Sequence, residues 1–181
     1  MWETMEALVS EGKVKSLGVA NFNVKQVEEL LSFCKVKPVV NQVELHPMNA
    51  QRKLVGVCYR KGIQCVAYSP LGSSGFLFPN DLIDQPAVKT VMAQTGKSAA
   101  QVLLKWNTQR GVVVIPRSTN EGRMRENIEG MSTWKFTNAQ KALMDGLNSD
   151  KRFITFPWKE WGNPEEGGVL KPSLNSVLQG Q

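Results

Sequence analysis

Val39-Val40-Asn41-Gln42-Val43-Glu44-Leu45-His46-Pro47 is a short apolar run that finishes in a polar, proline-marked turn. Pro38 stands in front of it and stops the preceding helix, because proline lacks a backbone donor and crowds the turn behind it. Three other stretches are built the same way: Ser16-Leu17-Gly18-Val19-Ala20-Asn21-Phe22, Cys65-Val66-Ala67-Tyr68-Ser69-Pro70-Leu71-Gly72 and Val112-Val113-Val114-Ile115-Pro116-Arg117-Ser118. We read strands at Val14 to Ala20, Val39 to Leu45, Ile63 to Ala67 and Val112 to Ile115. Between them lie segments with helical periodicity. Asn23 caps a helix through Phe33 with Val27, Leu30 and Leu31 inward, and Leu54 to Arg60 forms another that Gly62 ends. Apolar strands alternating strictly with helices indicate parallel βαβ units.

Outward from these units, Trp2, Met5, Leu8 and Val9 mark a helix over Trp2 to Glu11, with Gly12 as its stop. A Gly-, Ser- and Pro-rich connection from Ser69 to Pro86 precedes helices at Ala87 to Thr95 and Ser98 to Thr108. A short helix opens over Asn120 to Asn127, and Thr137 caps a last one through Leu147. From Asn148 to Gln181 the pattern fades into an extended arm expected to pack in part through Trp158 and Trp161. The expected organisation is one body over residues 1–150 and a tail over 151–181.

Composition excludes several classes. No apolar stretch approaches the ~18 residues of a membrane span, and the first residues carry neither a basic start nor an apolar signal core. Net charge is +6, but Lys and Arg are scattered, without the aromatic-interleaved basic patch of a single-strand binder. A modest positive excess instead suits an anionic small molecule. Cys34, Cys58 and Cys65 show no CxxC spacing, so we expect three reduced, mostly buried thiols, a cytoplasmic protein and no metal site.

Parallel barrels carry their chemistry at the C-terminal strand ends. Asn21 follows the first strand, and Gln42 and Glu44 close the second. Asn and Gln side chains there suit a carboxamide, though ordinary loop hydrogen bonding would use the same residues. Tyr68 ends the third strand, where its ring can stack on a planar heterocycle or simply sit in the core; the Ser69-Pro70-Leu71-Gly72-Ser73 turn can wrap a pyrophosphate. After the fourth strand, Arg117 and Ser118 precede a helix start that carries Arg123, then Glu126 and Asn127. Two guanidinium forks and a hydroxyl match a phosphate monoester at the place where this architecture recurrently binds one. His46 belongs to the Glu-Leu-His-Pro turn and reads as a structural loop histidine.

Gly-Val-Ala-Asn-Phe, Val-Asn-Gln-Val-Glu-Leu-His-Pro, Ala-Tyr-Ser-Pro-Leu-Gly and Ile-Pro-Arg-Ser, in this order and spacing, resemble the second half of an aldo-keto reductase over roughly residues 1 to 150. The resemblance implies NADPH as cofactor. Asn21 and Gln42 would hold the nicotinamide carboxamide, and Tyr68 would stack on its ring. Ser69, Leu71 and Ser73 would line the pyrophosphate. Arg117, Ser118 and Arg123 would take the adenosine 2′-phosphate, with Glu126 and Asn127 at adenine. Two departures stand out: Ala20 occupies a position where the family usually has serine, and Arg117 one where lysine is commoner.

The family reduces carbonyls with an Asp, Tyr, Lys and His set on its earlier strands and the loops after them, ahead of the matched region. None of the residues here falls in the proton-donor role. The expected fold is therefore α/β, a truncated (β/α)8 TIM barrel of about the last four βα units, with the cofactor site present and the catalytic half absent. Such an open half-barrel leaves two strand edges and an inner face uncovered, so a protein partner or self-association is expected. The first functional expectation is an NADPH-dependent reductase of small carbonyl compounds, completed by a catalytic half. The second is an inactive family member serving as a scaffold or subunit of a larger assembly. Neither nucleic acid nor membrane is an expected partner.

Overall fold

The computed structural model describes residues 1–72, 81–129, 131 and 133–154. The chain runs α1 (Trp2–Ser10), β1 (Gly18–Ala20), α2 (Val24–Phe33), β2 (Val40–Glu44), α3 (Arg52–Lys61), β3 (Gln64–Tyr68), α4 (Pro86–Thr95), α5 (Ala99–Gln109), β4 (Val113–Val114), α6 (Glu121–Glu129) and α7 (Asn138–Asp145). All four strands lie in one parallel sheet in sequence order, β1-β2-β3-β4. Sequential order with a helix crossing between neighbours is what repeated βα units produce.

Local chemistry sets the helix starts. Asn23, Ser98 and Thr137 each accept the backbone N–H three residues on, while Gln26, Gln101 and Gln140 reach back to the cap amide. Each box satisfies two of the amides that a helix start leaves free. Pro86 opens α4 at the position where its missing N–H costs nothing.

The first strand is shorter than the sequence suggests. The amides of Lys13 and Val14 turn back to the Leu8 carbonyl to finish α1, and Val14 packs with Trp2 and Leu30. Pairing to the second strand begins only where Val39 N–H reaches Leu17 O, at 2.8 Å. The last strand, β4, has two residues. Its ladder extends one step further, Ile115 N–H to Ala67 O at 3.2 Å, and Pro116 then ends it.

Register sorts the residues by face. Val19, Asn41 and Cys65 align, as do Val43 and Ala67, on the side covered by helices. There Val27, Leu45, Leu54, Cys58, Ile63 and Val112 close around them. A second core joins α4, α5 and α7 through Val88, Val91, Leu103, Trp106 and Met144. The other face carries Gly18, Val40 and Gln64 in one row and Ala20, Gln42, Val66 and Val113 in the next. Among the described residues this face is incompletely covered: Val113 and Ile115 keep 47% and 46% of their surface exposed. Parallel sheets ordinarily bury both faces.

The first residues of the expected arm, from Asn148 onward, are held to the rest of the chain. Ala50 N–H donates to Asn148 Oδ1 at 2.8 Å, and the amides of Ser149 and Lys151 both donate to Met48 O. Lys151 pairs with Asp81 at 2.7 Å, and Phe153 is buried in the α4–α5–α7 core. The segment is thus fastened to the body. Trp158 and Trp161 lie outside the described residues. No helix among the described residues is long and apolar enough to cross a membrane.

Candidate functional site

Asn21, Gln42 and Tyr68 meet at the C-terminal ends of β1, β2 and β3. Asn21 leaves β1 in the left-handed region, φ 58°, a conformation that asparagine tolerates better than most side chains. Its amide donates to Gln42 O at 2.9 Å, and its Oδ1 accepts from the Tyr68 hydroxyl at 3.0 Å. The turn is held from behind by Asn41, buried on the helix side. Asn41 Nδ2 donates to Phe22 O at 2.9 Å, and its Oδ1 accepts from Phe22 N–H at 3.4 Å. Gln42 points to the uncovered face, half-buried, and among the described residues its carboxamide has no partner. The result is a free carboxamide beside an Asn–Tyr pair, all at one edge.

Burial pushes the Tyr68 hydroxyl up to about 12, with the Glu44 carboxylate adding to the shift and Arg152 opposing it. It is therefore a neutral donor, committed to Asn21, and unsuited to giving up a proton near neutrality. The unfolded chain ionises this group at its ordinary value of 10, so between about 10 and 12 the folded state holds the extra proton. Stability should then fall as pH rises through that window. In a Tyr59→Phe chain, where Tyr68 is the one tyrosine left, tyrosinate absorbance should titrate near 12; a midpoint at 10 would contradict the burial account.

Ser69 follows with φ 48°, and Gly72 N–H closes a tight turn onto Ser69 O at 2.9 Å. Gly72 itself has φ 76°, where a side chain would be strained. Ser69 and Leu71 are half-buried along this turn. Ser73 lies outside the described residues, so its expected role at a pyrophosphate stays an expectation.

The fourth cluster sits beyond β4 on the same edge. Ser118 spends its hydroxyl on the local turn, accepting Asn120 N–H at 3.1 Å, and Asn120 Oδ1 in turn accepts Arg123 N–H at 3.0 Å at the start of α6. Arg117 and Arg123 are exposed, and among the described residues neither guanidinium meets a carboxylate. Their neighbour Arg125, by contrast, is paired with Glu121 at 2.8 Å. Glu126 is half-buried with its carbonyl held by Gln101 Nε2 at 3.1 Å, and Asn127 is buried. Positive charge beside a helix N-terminus is the kind of arrangement that favours an anion. No cluster of three or more potential metal ligands occurs among the described residues.

Among the described residues, a groove of about 470 Å³ runs between the starts of α2 and α3, and one of about 370 Å³ between α3 and the end of α5. Neither touches the strand-end residues. The strand ends, by contrast, bring together Asn21, Gln42 and Tyr68.

Residues 1–149 match the sequence model of the aldo/keto reductase family. The chain belongs to this family. It is 41% identical over 157 residues to aldo-keto reductase family 1 member A1-A of Danio rerio, covering 84% of this chain and 48% of that protein. The mouse family 1 member A1 is 40% identical over the same length, with the same coverage. Aldo-keto reductase family 4 member C11 of Arabidopsis thaliana is 45% identical over 129 residues, covering 71% of this chain and 41% of the relative. The chain thus spans about half the length of the relatives it matches.

Within this aldo-keto reductase chain, sequence reasoning underrated two polar residues. Glu44 was read only as closing the second strand. It is fully buried and binds three donors: His46 Nε2 at 2.9 Å, Phe153 N–H at 2.6 Å and Ile154 N–H at 3.2 Å. His46, equally buried, packs against Phe153 with the two rings tilted at 54° and their centroids 4.9 Å apart. Asn41 was read only as part of a strand, yet its side chain sets the turn that presents Asn21. The available signal for both was a polar residue inside an otherwise apolar strand.

Proposed function

We propose that this chain forms the NADPH-binding part of an aldo-keto reductase-type oxidoreductase that converts a small carbonyl compound to its alcohol. The observation that carries the reading is a pair of guanidiniums, Arg117 and Arg123, with no carboxylate partner among the described residues, on the same sheet edge as the Gln42 carboxamide, likewise unpartnered among them, and the Asn21–Tyr68 pair. These residues fit the cofactor's two ends. Gln42 and Asn21 match a carboxamide, the Tyr68 ring offers a flat apolar face, and the arginines match a phosphate monoester. When bound, the cofactor supplies a hydride to the carbonyl carbon. This chain's own residues bind and orient it. Asn41 fixes the Asn21 turn, and the Tyr68 hydroxyl locks onto Asn21.

Proton delivery to the carbonyl oxygen falls to other residues. The chain's two tyrosines are Tyr68, committed as above, and Tyr59, 83% exposed on α3. We therefore read the sheet as four units of an eight-stranded barrel. Its uncovered face, with Val66, Val113 and Ile115, would be the inner wall closed by the strands that carry the acid–base set. A cytoplasmic setting suits the three free thiols.

Titrating the purified chain with NADPH, with tryptophan quenching and thermal melting as readouts, tests the binding claim. Saturable quenching is expected, and at a hundredfold excess over Kd the folded state should gain about 2.7 kcal/mol. A folded chain that shows neither response would overturn the reading.

A further inference from the structure

We propose that the groove between α3 and the end of α5 binds a small aromatic carboxylate, whose anion Arg52 and Arg110 hold and whose ring lies against Tyr59. At about 370 Å³ the groove has the size of a small-molecule site. Gln64 and Gly111 border it, at the starts of β3 and β4, so it sits at the opposite end of the strands from Asn21, Gln42 and Tyr68. It is thus separate from the strand-end site and independent of the function proposed above. Val55 and Ile63 give it an apolar wall, and the exposed Tyr59 ring stands at its border. A flat apolar body suits these surfaces.

The charge of the groove calls for an anion. Both arginines are anchored by backbone carbonyls: Arg52 Nη2 donates to Asp145 O and Arg110 Nη2 to Ala50 O, each at 2.7 Å. The Arg110 guanidinium lies over the Trp106 ring, 4.2 Å from its centroid. The Asp145 carboxylate accepts Trp106 Nε1 at 2.8 Å, and among the described residues neither guanidinium meets a carboxylate. Arg110 Nη1 is enclosed without any acceptor. Buried donors ordinarily have a partner, so this one marks a place for an acceptor from outside the chain. A carboxylate supplies two, in the geometry a guanidinium fork matches. Gly56 points the same way from the helix side. It stands in the middle of α3, where glycine weakens a helix relative to alanine. Its φ is not left-handed, and a Cβ there would meet only Arg60 Nη1, at 3.4 Å, so the fold does not demand a glycine. What the missing side chain leaves is room in the groove that Gly56 lines.

Equilibrium dialysis of the full chain against trans-cinnamate tests the site. Saturable uptake of one cinnamate per chain is expected. Cinnamamide, which has the shape without the charge, and hexanoate, which has the charge without the ring, should each bind at least about tenfold more weakly, as should cinnamate to Arg52→Ala. Arg52 is exposed, so that variant keeps the fold. Gly56→Leu fills the groove with a better helix former, and cinnamate uptake should vanish from a chain that melts no lower than the parent. A folded parent with no saturable uptake would overturn the proposal, as would undiminished uptake by Gly56→Leu or by Arg52→Ala. Equal affinity for cinnamamide would refute the pairing with the arginines, and equal affinity for hexanoate the aromatic assignment. Uptake lost in Arg117→Ala but kept in Arg52→Ala would place the carboxylate beyond β4 and overturn the groove as its site.

Discussion

Glu44→Ala is expected to destabilise the chain by about 3–5 kcal/mol, the usual cost of removing one partner from a buried charged cluster. The carboxylate is completely enclosed and accepts three hydrogen bonds, from His46 and from the amides of Phe153 and Ile154. Alanine would leave those donors buried without acceptors, and each such group costs about 1–3 kcal/mol. Glu44→Gln keeps the shape but turns an NH2 group toward a set of donors, so a smaller loss is expected. The same change should release the terminal segment, because both backbone bonds of residues 153–154 to β2 end on this one side chain. Lys151 and Arg152 stand immediately upstream and supply trypsin sites. Urea melts would read the stability, and timed trypsin digestion would read the release. A variant within about 1 kcal/mol of the parent, with no new cleavage after Lys151 or Arg152, would show that the segment is held by Phe153 packing and the Lys151–Asp81 pair instead.

How far this arrangement was legible in the sequence depends on the range of the interactions involved. Local signals carried well. The caps at Asn23 and Thr137, the stop at Gly62 and the alternation of apolar strands with helices each depend on residues a few positions apart, and the structure has them there. Strand length did not carry, because Val14 has the composition of a strand while its amide is claimed by the Leu8 carbonyl of the preceding helix. That Asn21, Gln42 and Tyr68 share one edge was legible, since parallel βα units put their strand ends together whatever the details. Its supports were not. Asn41 serves Phe22 from 19 positions away, and Glu44 serves Phe153 from 109. Such pairings follow from which strands become neighbours and where the chain finally returns, and composition carries no mark of either.

Arg117→Ala should weaken NADPH binding about ten- to hundredfold and leave NADH binding nearly unchanged. A hydrogen bond to a charged group is worth about 1.5–3 kcal/mol, and each 1.4 kcal/mol is tenfold in affinity. The specificity follows from what the side chain would touch, since only NADPH carries the 2′-phosphate. Among the described residues Arg117 and Arg123 have no carboxylate to leave, so their charge is available to a ligand. Arg117→Lys should fall between parent and alanine, because an ammonium keeps the charge but cannot form the two-pronged contact. The double Arg117→Ala, Arg123→Ala change should cost less than the sum of its parts, as two groups serving one phosphate are coupled. Both guanidiniums are exposed, so NADPH affinity should also decline with added salt, steeply for the parent and weakly for the double variant. Arg125 is the internal control: as exposed as its neighbour Arg123 but paired to Glu121, it should change neither affinity nor salt dependence when replaced by alanine. If Arg125→Ala weakens NADPH as much as Arg117→Ala does, the basic surface attracts anions in general and the 2′-phosphate site is refuted. If NADH affinity drops in parallel with NADPH, Arg117 acts on the fold of the α6 start rather than on the phosphate.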